Sequence, residues 1–165
     1  MVDRCPLGCL GWQDALLSHL GDRGMTISPR ASVHLAVVAQ PYLGWILTGE
    51  KTIESRFSKN RVAPYESVKT GDVVALKASG RPVTAVCRIG TVEFYALTAG
   101  VFRQIRRRYS AALCTDAEFW RTRATSRYAT IMRLSDVREI TPVYCGKRDR
   151  RGWVTVDGTR RKRSL

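Results

Sequence analysis

The sequence predicts an α+β domain: a small, mostly antiparallel β-barrel flanked by short helices. Three observations carry this. Short strand-type runs recur between glycine turns, at Val33–Val38, Thr52–Arg56, Val73–Ala78 and Val83–Leu97. Residues 98–120 switch to helical period before alternation returns at Tyr128. The length, 165 residues, suits one compact domain with enough core to fold without a disulfide or metal.

Residues 1–30 read as an N-terminal extension, mobile or loosely docked. Within it Trp12, Leu16, Leu17 and Leu20 have helical spacing, and Gly21 and Gly24 stop that helix. The domain proper spans 31–156 and opens on the apolar run Val33–Val38. Pro41 and Gly49 bracket a short helix, since proline suits a first turn and glycine the position past a last one. Thr52-Ile53-Glu54-Ser55-Arg56 alternates like a strand with one wet face, and Asn60–Val68, with Pro64, is a loop. The turn Lys69-Thr70-Gly71-Asp72 launches Val73–Ala78, and Ser79-Gly80-Arg81-Pro82 leads into a long strand bent at Gly90.

From Thr98 as N-cap, Val101, Phe102, Ile105 and Tyr109 fall on one helix face, and Arg103, Arg106, Arg107 and Arg108 cover the other. Thr115-Asp116-Ala117-Glu118 reads as a capping box for a second helix through Phe119 and Trp120. Two further strands, Tyr128–Leu134 and Val137–Tyr144, precede a closing one at Gly152–Val156. Residues 157–165 form a basic tail.

Charge narrows the function. There are 28 Lys and Arg against 14 Asp and Glu, a formal net charge of +14, and 22 of the cations are arginine. Arginine's planar fork suits bidentate phosphate contacts and stacking on bases. The excess is localised: residues 1–30 carry three cations and three anions, 31–100 eight and five, 101–165 seventeen and six. A polyanionic partner follows, nucleic acid ahead of a membrane surface. No apolar stretch approaches the length of a spanning helix. No basic region followed by an apolar run opens the sequence, so a cytoplasmic location is expected. The five cysteines include no CxxC, and the lone Cys5/Cys9 pair cannot fill a tetrahedral zinc site, so reduced thiols, no metal and no cofactor are expected.

Pro41-Tyr42-Leu43, Ile46 and Gly49-Glu50-Lys51-Thr52-Ile53-Glu54-Ser55-Arg56 together resemble the ASCH domain family. Lys69-Thr70-Gly71-Asp72-Val73 is similar to that family's second landmark, a GD turn before a strand. Tyr128–Leu134 followed by Asp136-Val137 resembles its closing strand pair. The resemblance covers roughly residues 33–145. It implies a PUA-like barrel with a cleft lined by the Gly-x-Lys-Thr-x-Glu-x-Arg segment, and a role in RNA binding or processing. Some branches are credited with ribonuclease activity and one with hydrolysing acylated cytidine. That amidohydrolase branch carries a threonine nucleophile three residues beyond the motif lysine. Here the position is Glu54, and Thr52 and Ser55 are out of register, which argues against this alternative.

The residues make their own case for a cleft. Lys51, Glu54 and Arg56 bring two cations and a carboxylate together, enough to neutralise a phosphate and move a proton; equally, Glu54 and Arg56 can form a same-face ion pair with Lys51 solvated. A metal-independent ribonuclease would draw on Lys51 and Glu54 with a hydroxyl from Tyr42, Tyr65 or Ser126. RNA binding needs less. Tyr42, Lys51, Arg56 and Lys77 would contact a nucleotide. Arg103, Arg106, Arg107 and Arg108, extended by Arg121, Arg123 and Arg127, would hold the backbone, because a merely solvated helix face usually interleaves acidic residues. Lys147, Arg148, Arg150 and Arg151 form a third patch, with Trp153 as the stacking ring. Trp45 and Trp120 sit at helical core positions. The expected partner is single-stranded RNA, with single-stranded DNA, a non-catalytic regulatory role and the oligomeric state left open.

Overall fold

The computed structural model describes residues 12–22, 25–145 and 150–156. Six strands form one mixed sheet, and four helices pack on it: α1 (Trp12–Asp22), β1 (Val33–Val37), α2 (Tyr42–Thr48), β2 (Ile53–Ser58), β3 (Val73–Lys77), β4 (Val83–Ala96), α3 (Ala99–Leu113), α4 (Ala117–Arg123), β5 (Tyr128–Val143) and β6 (Trp153–Val156). The spatial order is β2-β5-β4-β3-β1-β6, curled into a half-barrel. Every pairing is antiparallel except β1 with β3, where Val33 faces Val73 and Val37 faces Lys77.

That central pair explains the two continuous apolar runs. Val74 and Leu76 pack on one face with Ala36, Val38, Leu43, Ile46 and Met132; Val73 and Ala75 pack on the other with Val33, Leu35, Leu16 and Leu20. A strand buried on both faces has no wet side and so reads as a run, not an alternation. Leu16 and Leu20, on α1, are almost wholly enclosed, although their segment was expected to dock loosely. A third cluster joins α3 and α4 to β2 and β5 through Ile105, Leu113, Phe119, Trp120, Ile53 and Ile131.

The GD turn has a physical basis. Gly71 takes a left-handed φ of +89°, a region glycine enters without penalty. Asp72 then turns its carboxylate inward, accepting from the backbone N–H groups of Ser32 and Lys69, each at 2.9 Å, and pairing with His34 Nε2 at 2.8 Å. One side chain thus ties the turn to β1.

The structure corrects several details. Residues 128–143 form one strand, bent where Asp136 takes a φ of +48°, not two. The bend expected at Gly90 is present as a register shift between Ile89 and Thr91. α3 runs on to Leu113 and ends at Cys114 in the left-handed region. Asp116, not Thr115, caps α4 by accepting from Phe119 N–H, and Glu118 pairs with Arg121. Cys87, Cys114 and Cys145 are free thiols, and burial pushes Cys87 up to about 12. Cys5, Cys9, Lys147, Arg148 and the tail lie outside the described residues.

Candidate functional site

The Gly-Glu-Lys-Thr segment joins two helix ends. Gly49 caps α2 with a φ of +84°, and the reversed chain lets Lys51 N–H reach the Trp45 carbonyl at 3.0 Å. The same segment covers the C-terminus of α3, whose last carbonyls lack partners inside the helix. Thr52 N–H donates to Ala112 O at 3.1 Å, and the Lys51 ammonium donates to Leu113 O at 3.0 Å. A cation at a helix C-terminus also meets the negative end of the helix dipole.

Lys51 is therefore buried, 4% exposed, rather than solvated. Its Nζ lies 3.5 Å from Glu54 Oε2 and 5.3 Å from the centre of the Tyr42 ring. Burial pulls the Lys51 pKa below the usual lysine value, while Glu54 pulls it back up. Glu54 and Arg56 share a face of β2, and Glu54 Oε1 lies 3.2 Å from Arg56 Nε. The Glu54–Arg56 ion pair expected as one alternative is present, but with Lys51 buried beside it, so the three form one chain of alternating charge.

Arg56 holds the open seam of the half-barrel. From edge strand β2 its Nη2 donates to Val37 O at 2.9 Å and its Nη1 to Gly152 O at 3.2 Å, reaching across to β1 and the start of β6. Its guanidinium sits 5.4 Å from the centre of the Trp153 ring.

These residues open on a cleft of about 290 Å³, walled by Val37–Ala39, Tyr42, Lys51, Glu54–Phe57, Phe119 and Arg123. Arg123, on α4, lies over Phe119 with its Cζ 3.6 Å from the ring centre, and donates to Phe119 O. Burial lowers its pKa, yet an arginine stays protonated. Burial and Asp116 raise the Tyr42 pKa, so its hydroxyl is a neutral donor. The cleft thus offers three cations, one carboxylate and three aromatic rings.

The solved structures decide what this framework is. No protein-family model and no curated protein matches the sequence. The chain superposes on the crystal structure of ASCH from Zymomonas mobilis with a TM-score of 0.61 at 14% identity, covering 76% of this chain and 87% of that one. It superposes on two mutant forms of that protein with TM-scores of 0.60 and 0.63 at 13% identity, covering 76% and 79% of this chain and 90% and 92% of theirs. The fold is ASCH-like.

Within this ASCH-like fold the residues singled out from the sequence separate into groups. Tyr42, Lys51, Glu54 and Arg56 converge on the cleft. Tyr65 does not line it: its ring packs tilted against Tyr128 at 4.9 Å and edge-on against Phe94 at 5.6 Å. Nor does Ser126, which follows α4 and donates its N–H to Arg123 O. Lys77 is 8% exposed at the end of β3. Trp153 is a core residue, 4% exposed, donating its indole N–H to His34 Nδ1 at 3.2 Å, so it is not an exposed stacking platform.

Arg103, Arg106, Arg107 and Arg108 are all exposed and form no ion pair among the described residues; Arg127, Arg150 and Arg151 are exposed as well. The α3 arginines begin about 8 Å along the helix axis from Leu113 and extend to about 15 Å. Sequence reasoning missed Phe119 as a wall of the cleft and placed Arg123 only in the outer charge field. Their positions on α4 become relevant only once Asp116 starts that helix and Phe119 turns inward.

Proposed function

We propose that this protein binds single-stranded RNA, holding one nucleotide in the cleft around Lys51, Glu54 and Arg56 and the backbone along the α3 arginines. The observation that carries the reading is the pairing of a cation-rich, aromatic-walled cleft with a row of unpaired arginines, joined through the Lys51–Leu113 contact. A cleft of about 290 Å³ takes one splayed base but no duplex. Exposed arginines that form no ion pair among the described residues supply the sequence-independent part of the affinity.

Binding fits this geometry better than hydrolysis. The Lys51 ammonium is committed to Leu113 O and Glu54, the hydroxyls of Tyr65 and Ser126 lie off the cleft, and burial keeps the Tyr42 hydroxyl, which does line it, protonated. Acyl-cytidine hydrolysis fits less well still, because Glu54 is an ion-paired carboxylate.

The test is a native and a denaturing gel of labelled single-stranded RNA incubated with the protein in EDTA, beside an Ala39→Trp variant. Ala39 is exposed on the cleft rim, so the bulkier ring obstructs the entrance without entering the core. A shifted, intact band weakened by the substitution supports the binding reading. Cleavage that the variant loses would make the protein a ribonuclease, and an unshifted, intact band would refute RNA engagement. A parallel single-stranded DNA arm reports sugar preference.

A further inference from the structure

Arg56 belongs to two cavities. Besides the cleft, it lines a second hollow of about 120 Å³, shared with Phe57 and closed by Val62, Pro64, Gly152 and Trp153 among others. Its guanidinium is fixed between them by the contacts to Val37 O and Gly152 O, with Glu54 beside Nε. Each Nη carries two hydrogens and spends one, so two donors remain, on a side chain 21% exposed. A planar cation held in advance binds phosphate without the entropy cost of ordering it. The larger hollow has room for a base; the smaller suits a sugar. Arg61, exposed and 5.4 Å from the Tyr128 ring, and Arg150 bring further cations in the segments bordering the second hollow.

We infer that the occupant is a stretch of chain, not a free mononucleotide: the base in the larger cavity, the internucleotide phosphate on Arg56, and the adjoining sugar in the smaller cavity. This rests on the nucleotide reading of the cleft and adds a second subsite to it.

The experiment is calorimetric titration with a pool of dinucleoside monophosphates, the same pool carrying an uncharged methylphosphonate link, inorganic phosphate, and a single-stranded RNA octamer. Two variants accompany the wild type. In Gly152→Ala the new Cβ stands 3.1 Å from Arg56 Nη1, so the guanidinium must shift by a few tenths of an ångström and its bond to Gly152 O is disturbed. Val62→Glu places an anion at the second hollow from a site 54% exposed, where it does not disturb the core. Wild type is expected to prefer the charged pool about tenfold, the scale of one lost charge-assisted contact, and both variants to reduce that preference to about threefold or less. Equal affinity for both pools, a preference that survives both variants, or inorganic phosphate binding as tightly as the charged pool overturns the inference. So does binding of the octamer with neither pool bound, which leaves the nucleotide reading standing. If the octamer also fails to bind, the nucleotide reading itself falls.

Discussion

The Lys51 ammonium donates to the carbonyl oxygen of Leu113 at 3.0 Å, so the arginine-bearing helix α3 ends on a cleft residue. A single buried cation thereby satisfies a helix terminus, balances Glu54 and fixes where the basic face lies relative to the cleft.

Replacing Lys51 with Met should therefore cost stability first. The substitution strands Leu113 O without its ammonium and leaves Glu54 with Arg56 alone. Breaking a buried charge pair in this way costs about 3 kcal/mol. Urea unfolding measures it, and a loss of less than about 0.5 kcal/mol would show that the ammonium contributes little.

Changing Arg106, Arg107 and Arg108 together to Gln should leave folding intact, because all three are exposed. RNA affinity should fall alike for every sequence. The slope of log K against log salt should become shallower by about 0.7 per lost contact, about 2 in all. An unchanged slope would remove α3 from the interface.

Glu93 gives the protein an acid-sensitive clasp between β4 and α3. It accepts from the Tyr109 hydroxyl at 2.7 Å and from the Tyr95 hydroxyl, and these bonds hold its pKa below the usual glutamate value. A carboxylate with a lowered folded pKa contributes stability that is present above its unfolded value, 4.5, and lost as pH falls through the folded value. Thermal melts from pH 6 downward should lose less stability in Glu93→Gln than in wild type. Parallel curves would show that Glu93 contributes nothing to the acid limb.

Trp153→Phe removes the indole hydrogen bond together with part of a buried ring. His34 Nδ1 can accept the indole proton only if it carries none, so His34 is held with its proton on Nε2, facing Asp72. Loss of the donor should cost about 1 kcal/mol in urea unfolding, the net value of a buried neutral hydrogen bond. A variant as stable as wild type would mean that Thr155 Oγ1, 3.3 Å from Nδ1, takes over the contact.

What the sequence made legible was local. Pro41 and Gly49 mark a helix because their backbone preferences act within one turn, and the alternation in Ile53–Arg56 places Glu54 and Arg56 on one face. The cleft's other wall was not legible. Arg123 and Phe119 stand some 70 residues from Lys51 and meet it only through the packing of α3 and α4 on β2. Trp153 looked like a surface ring because a basic run precedes it, yet β6 pairs with β1 and turns the indole into the core. The continuity of β5 was hidden by polar residues between Ser135 and Glu139, where the strand bends out at Asp136.

The most direct test of the central claim is photocrosslinking of the protein to single-stranded RNA carrying 4-thiouridine, with the attached peptides mapped by mass spectrometry. Crosslinks at Tyr42 or Phe119, lost on Ala39→Trp while salt-sensitive binding persists, are the predicted result. Crosslinks confined to the α3 arginines and the 150–151 segment, with the cleft untouched and Ala39→Trp silent, would contradict the claim that a nucleotide occupies the cleft.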